Sequence, residues 1–196
     1  YADITVYERT PQEEVATRIA DSDAIFLNKI QITEEILSLC PKLKYIGVLA
    51  TGYNVIDLEA ARRHNITVTN IPAYSTDSVA QHVFSFILYF TNQVAQHSQS
   101  VMKGDWVKCP DFCYWNGSLS ELAGKTLGIF GYGHIGSRVA QIGKAFGMKV
   151  ICCTRTPKAG MPTLVSFEEL LKCSDFLTLH APLTPQTTNI INKESK

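Results

Sequence analysis

Short apolar runs recur through the first part of the chain, and each gives way to a polar stretch that opens with helix-start chemistry. The runs occupy residues 4–7, 24–27, 45–49 and 66–69. Runs of this length read as strands, and the intervals between them can hold the crossover helix that a parallel neighbour requires. Thr10, Pro11 and Glu13 form a capping box with proline at the first helical position. Thr33 caps the next helix, Asp57 opens one that runs to Arg63, and Asn65 offers a left-handed stop after it. The alternation predicts an α/β domain with a parallel sheet.

Residues 70–78 are rich in Pro, Ser and Thr and read as a loop, with Ser78 and Gln81 forming a capping box for a helix over residues 79–94. That helix is apolar around most of its circumference. It should therefore be covered on several sides, which puts a domain boundary beside it and gives domains of residues 1–75 and 76–196. From residue 96 to 122 neither period persists, and Trp106, Phe112, Tyr114 and Trp115 stand in an irregular segment. Such aromatics need cover, either from their own chain or from a second subunit. A second α/β unit follows, with strands at 126–130, 149–153 and 176–180, a helix at 135–146 stopped by Gly147, and a capped helix at 166–173. This is the first half of a doubly wound sheet.

Gly131, Tyr132, Gly133, His134, Ile135 and Gly136 spell G-x-G-x-x-G between the strand at 126–130 and the helix that follows. In that context the hexapeptide predicts a dinucleotide site. Gly131 permits the tight turn, Gly133 lets backbone approach a pyrophosphate, and Gly136 allows helix and strand to pack closely. The helix mouth, with Ile135 in its first turn, supplies free amides and partial positive charge. His134 reads as a phosphate neighbour or a solvated side chain, not as a catalytic acid. At the end of the next strand an Asp or Glu would bind the ribose hydroxyls of NAD. The chain has Thr154, Arg155 and Thr156 there, with Lys158 shortly after. A guanidinium without a carboxylate suits the 2′-phosphate of NADP, which is favoured over NAD; the alternative is that Arg155 points to solvent.

Bulk properties narrow the field further. Eighteen basic residues balance eighteen acidic ones over 196 residues, so an electrostatic footprint for nucleic acid or an anionic membrane is missing. The longest apolar run, residues 79–94, is broken by Gln81, His82, Ser85, Thr91, Asn92 and Gln93 and is not a membrane span. Six cysteines (Cys40, Cys109, Cys113, Cys152, Cys153 and Cys173) lack disulfide-scaffold density and read as reduced. Cys109 and Cys113 could be half a zinc site, but no second pair accompanies them, so no metal is expected. No secretory leader is visible at Tyr1, and the cytoplasm is the expected compartment.

Residues 48–57 (VLATGYNVID), 78–82 (SVAQH), 122–136 (LAGKTLGIFGYGHIG) and 174–188 (SDFLTLHAPLTPQTT) together resemble the D-isomer-specific 2-hydroxyacid dehydrogenases, and within them the glycerate dehydrogenase branch. The resemblance implies a flavodoxin-like substrate domain over residues 1–75, without its first strand and helix, and the first half of a Rossmann dinucleotide-binding domain over residues 76–196. It implies hydride transfer between NAD(P)H and a small 2-oxo or D-2-hydroxy acid, hydroxypyruvate/D-glycerate or glyoxylate/glycolate. Ala50, Thr51, Gly52, Tyr53 and Asn54 then offer amides to the substrate carboxylate, with Lys29 a second candidate for the same anion. Thr76 and Val79 approach the nicotinamide end of the coenzyme; His180, Ala181 and Pro182 line its adenine side, with Thr187 nearby. His180 could equally be a satisfied core histidine. The family's catalytic Arg, Glu and His fall beyond the position of Lys196, so no histidine here takes that role and the separate chain is expected to be inactive. A homodimer is expected, with the segment around Trp106 to Trp115 in the contact. A coenzyme-sensing protein, like the NAD(H)-binding corepressors built on this scaffold, is the alternative; a methyltransferase is favoured by nothing beyond the glycine turn.

Overall fold

The computed structural model describes residues 2–195. It divides after Tyr74 into two compact units. In the first, strands β1 (Ala24–Leu27), β2 (Tyr45–Val48) and β3 (Thr67–Asn70) pair in parallel in that order, with Ile46 opposite Ile25 on one side and Val68 on the other. β2 is the middle strand and carries Ile46 and Val48 fully buried, which is why it reads as a continuous apolar run. Helices α1 (Val15–Ile19), α2 (Glu34–Ser38) and α3 (Leu58–Arg63) contribute Val15, Leu37, Ala60 and Ala61 to the same core.

The start of α3 follows the sequence closely. Asp57 accepts a hydrogen bond from the Ala60 amide at 2.9 Å, and Asn65 closes the helix at φ 56°. Three other expectations fail locally. Residues 4–7 form no strand: Ile4 and Val6 are 81% and 83% exposed, and none of β1, β2 or β3 pairs with them. An apolar run becomes a strand only through its ladder, and this one has no neighbour. The capping box at Thr10 does not form either; Thr10 Oγ1 accepts from Arg18 at 2.9 Å, and a 3₁₀ turn over Gln12–Glu14 starts after Pro11. Thr33 occupies the N-cap of α2 without a side-chain bond to it.

The second unit begins with α4 (Thr76–Asn92), α5 (Val94–Met102) and α6 (Asp105–Lys108). Then come β4 (Thr126–Phe130), α7 (His134–Ala145), β5 (Lys149–Cys153), the two-residue β6 (Thr163–Leu164), α8 (Phe167–Cys173) and β7 (Phe176–Leu179). The strands are parallel in the order β6-β5-β4-β7. The chain thus leaves β4 on one side and returns on the other, which makes the end of β4 a topological switch point. Ala80, Phe84 and Ile87 of α4 pack with Val139 and Ala140 of α7 over Leu127 and Ile129 of β4, and Phe84 stacks on Phe146 at 5.4 Å.

Here the helix expected over 79–94 starts at Thr76 and ends at Asn92, because Gln93 turns left-handed at φ 50°. Ser78 lies inside it and donates to Ser75 O at 3.0 Å instead of capping. Within its own unit α4 buries one face through Ala80, Phe84 and Ile87, and Phe86, Tyr89 and Phe90 are exposed. Residues 96–102, most of α5, and 105–108, expected to be irregular, are helical. The face that α5 buries carries Ser100 and His97, while Val94, Val101 and Met102 are exposed, so its apolar residues do not mark the side that packs.

Leu127 is fully buried at 0% exposure, and Leu127→Ala is expected to lower the unfolding free energy of the intact protein by about 2–5 kcal/mol. Asp57→Ala, which removes one cap, is expected to lower it by about 1 kcal/mol. Denaturant unfolding distinguishes the two; equal losses would contradict the core described here.

Candidate functional site

The carboxyl end of β4 is held from both sides. Phe130 O accepts from the His180 amide at 2.7 Å, and the Gly131 amide donates to Cys153 O at 2.8 Å. Gly131 stands at φ 93°, and a Cβ there would meet Ala181 N at 2.5 Å, so both conformation and space demand glycine. At Gly136 a Cβ would meet Gly131 O at 2.2 Å, which lets α7 start directly against the turn.

Gly133 is different. Its φ of −89° is open to any residue, and a Cβ built there meets nothing within 4 Å. Neither backbone nor neighbours require the missing side chain, so the space in front of it is room for something external. Gly133 is also the N-cap of α7 and brings no side chain to the helix amides. Ser137 N donates to Gly133 O as the first helical bond, so the amides of His134, Ile135 and Gly136 precede the ladder at its positive end. A diphosphate fits this cradle by charge, donors and clearance.

Around the turn the other predicted residues take distinct places. His134 is exposed and Ile135 half-buried. His180 and Ala181 follow β7 beside Gly131, half-buried, with Pro182 exposed. Burial pushes the His180 imidazole below the usual histidine range, which keeps it neutral, and its Nε2 is buried without a hydrogen-bond partner among the described residues. It is therefore not a satisfied core histidine there. Thr187 Oγ1 donates to Pro182 O at 2.7 Å and accepts from the Thr184 amide at 2.8 Å, holding its own loop together. Thr154, Arg155 and Thr156 follow β5; Thr154 is half-buried, and Arg155 and Thr156 are exposed. Burial raises the adjacent Cys153 thiol, disfavouring thiolate. Thr76 and Val79 lie half-buried in the first turn of α4.

In the first unit, residues 50–54 follow β2, with Ala50 half-buried and Thr51, Gly52, Tyr53 and Asn54 exposed. The loop is braced rather than free. Thr51 Oγ1 donates to Ile71 O at 3.1 Å, and Asn70 Nδ2 donates to Thr51 O at 2.8 Å. From the other side Asn28 Nδ2 donates to Leu49 O at 3.3 Å. Lys29, next to it, is exposed and left-handed at φ 62°. Asn28 and Asn70 are contributors that pattern reading does not single out, since their partners are remote carbonyls. Asp77 and Arg138 are another such pair, joined at 2.7 Å between the first turn of α4 and α7. A groove of about 370 Å³ lies between these two helices over Phe84, Leu88, Ile142 and Phe146, separate from the glycine turn.

All six cysteines are free, and the described residues contain no group of three His, Cys, Asp or Glu side chains able to hold a metal ion. No described helix is long and apolar enough to cross a membrane.

Residues 84–195, more than half of the chain, match the family described as D-isomer specific 2-hydroxyacid dehydrogenase, NAD binding domain. The chain is 42% identical to a hydroxypyruvate reductase of Blautia hydrogenotrophica over 97% of its own length and 61% of the relative's. It is 39% identical to a glycerate dehydrogenase of Methylorubrum extorquens over 96% of its own length and 59% of the relative's. The chain thus spans about three fifths of the curated relatives it matches. Among solved structures, a D-lactate dehydrogenase of Aquifex aeolicus complexed with NAD and lactic acid superposes with a TM-score of 0.82 at 36% identity, covering 92% of this chain and 54% of that one.

Gly133→Ala separates a ligand role from a folding role. In the intact protein it is expected to leave thermal stability within about 2 °C of wild type, since the added methyl meets no protein atom. Coenzyme affinity, followed by titration of nicotinamide fluorescence, is expected to fall at least about tenfold as that methyl enters the diphosphate space. Unchanged affinity would contradict the assignment.

Proposed function

The chain belongs to the D-isomer specific 2-hydroxyacid dehydrogenase family, and from that premise we propose that it supplies the coenzyme cradle and the substrate-anion loop of an NAD(P)-dependent oxidoreductase. The reaction is the interconversion of a small 2-oxo acid and its D-2-hydroxy acid, with hydroxypyruvate/D-glycerate or glyoxylate/glycolate as the pair. The supporting observation is the clearance at Gly133 over amides that no side chain caps. Similarity to a hydroxypyruvate reductase and a glycerate dehydrogenase supports the substrate class.

When bound, the reduced nicotinamide supplies a hydride to the carbonyl carbon. The residues of this chain bind and orient. The amides of His134, Ile135 and Gly136 hold the diphosphate, and His134 borders it. Thr76 and Val79 border the nicotinamide end; His180, Ala181, Pro182 and Thr187 border the adenine side, His180 as a neutral partner. The loop Ala50, Thr51, Gly52, Tyr53 and Asn54 receives the substrate carboxylate, kept in shape by Asn70 and Thr51, and Lys29 adds positive charge. Carbonyl protonation falls to a histidine that a glutamate keeps charged, with an arginine binding carboxylate and carbonyl, and the resemblance matches none of these roles to residues 1–196. NADP is the preferred coenzyme, because no carboxylate stands at residues 154–156 and Arg155, exposed there, has no ion pair among the described residues. The intact protein is a homodimer, supported by the exposure of Trp106, Phe112 and Trp115, and its compartment is the cytoplasm, in keeping with six free cysteines. The coenzyme-sensing alternative has no observation of its own in its favour.

Steady-state kinetics of the intact protein with a panel of 2-oxo acids tests this. The expected result is the highest kcat/KM for hydroxypyruvate or glyoxylate with NADPH, and a loss of about tenfold or more in NADPH preference for Arg155→Gln, the scale of one charge-assisted hydrogen bond. No turnover of any 2-oxo acid would contradict the reaction; a strong preference for NADH would contradict the coenzyme choice. Sedimentation as a monomer would contradict the dimer.

A further inference from the structure

The segment carrying Phe112 and Trp115 is clasped to the junction of α4 and α5 by a histidine. His97, in the first turn of α5, places Nδ1 3.0 Å from Gln93 O and Nε2 3.0 Å from the backbone nitrogen of Asn116. A carbonyl oxygen can only accept, and an amide N–H can only donate. Nδ1 therefore carries the ring proton, Nε2 is bare, and the imidazole is neutral. Two further bonds complete the clasp: Gln93 Nε2 donates to Ser118 O at 2.8 Å, and the Ser120 amide to Thr91 O at 3.1 Å. Gly117, at φ 76°, leaves room for the Gln93 side chain, which a Cβ would approach to 2.8 Å.

We propose that His97 is a pH-sensitive latch within residues 109–120: protonation at Nε2 sets a ring N–H against the Asn116 N–H and opens the segment around Asn116, while Tyr114 on Ser100 and Ser118 on Gln93 still tie its flanks to the helices. The proton comes from solvent and no heavy-atom bond changes. The new charge also lies near the positive end of α5, where a cation is disfavoured. The imidazole has no carboxylate partner to offset it; the histidine–carboxylate pair among the described residues is His64 with Glu34. The charged and titratable groups of the surrounding elements are Tyr89 in the last turn of α4, Lys103 after α5, Asp105 and Lys108 on α6, Cys109, Asp111, Cys113 and Tyr114 in the segment, and Glu121 directly after it. Asp105 and Tyr114 are both engaged by Ser100, at 2.6 and 3.1 Å. The latch stands whether or not the aromatics meet a second copy; where they do, as proposed above, acid loosens that contact too.

Hydrogen exchange of the intact protein, followed by mass spectrometry at a series of pH values from about 8 down to about 5, tests the latch. After correction for intrinsic rates, protection of peptides spanning 113–120 is expected to fall about tenfold from the basic to the acidic end, the scale of one hydrogen bond lost. Peptides of β4 and α7 are expected to keep theirs. In His97→Gln, whose amide oxygen can accept from Asn116 without titrating, the dependence is expected to vanish, whether the segment is held or open at every pH. Equal protection at both ends in wild type, a uniform loss in all peptides, or a pH dependence surviving in His97→Gln would overturn the proposal.

Discussion

The second unit is organised around the direct contact of one backbone turn with the two strands beside it. Gly131 can reach Cys153 O and lie against Ala181 only because it lacks a side chain and adopts a positive φ. That contact fixes where β4 ends, and Gly136 against Gly131 O fixes where α7 begins. The positive end of α7 is thereby aimed outward at the switch point of the sheet. Packing of α4 on α7 through Phe84, Val139 and Ala140 then sets the helix direction. Changes along this chain of contacts move the amides; changes on the exposed face of α4 do not.

With eighteen charges of each sign the chain has no net field to gather an anionic ligand. Attraction has to come from local dipoles and single charges, and on the proposed function both units use the same device. Each presents backbone amides at the carboxyl ends of parallel strands, where the chain must turn. In one unit the amides belong to a helix mouth; in the other they belong to a loop braced by Asn70 and Asn28. Bracing keeps donors oriented before a ligand arrives, so less ordering is lost on binding.

The glycine turn was legible because its physics resides in residue identity: three absent side chains between an apolar run and an amphipathic stretch can be read without a fold. The central strands β2 and β4 were legible for a related reason, since burial on both faces leaves an unbroken apolar run. Residues 4–7 have the same look and form no strand, because pairing is a property of neighbours and not of the run. Helix α5 is hidden for the converse reason: four uncharged polar side chains and one histidine stand among its nine residues, and the face it buries carries Ser100 and His97 while Val94, Val101 and Met102 are exposed. Asn28, Asn70, Arg138 and the two-sided role of His97 depend on atoms distant in sequence. The unpartnered Nε2 of His180 likewise emerged only once β7 was set beside β4.

The central claim is that amides at the mouth of α7 grip a dinucleotide through its diphosphate. A crystal structure of the intact protein with its nicotinamide coenzyme tests it most directly. Diphosphate oxygens within about 3 Å of the His134, Ile135 or Gly136 nitrogens, passing over Gly133, are the predicted result. A coenzyme seated elsewhere, with those amides facing solvent, would contradict the account.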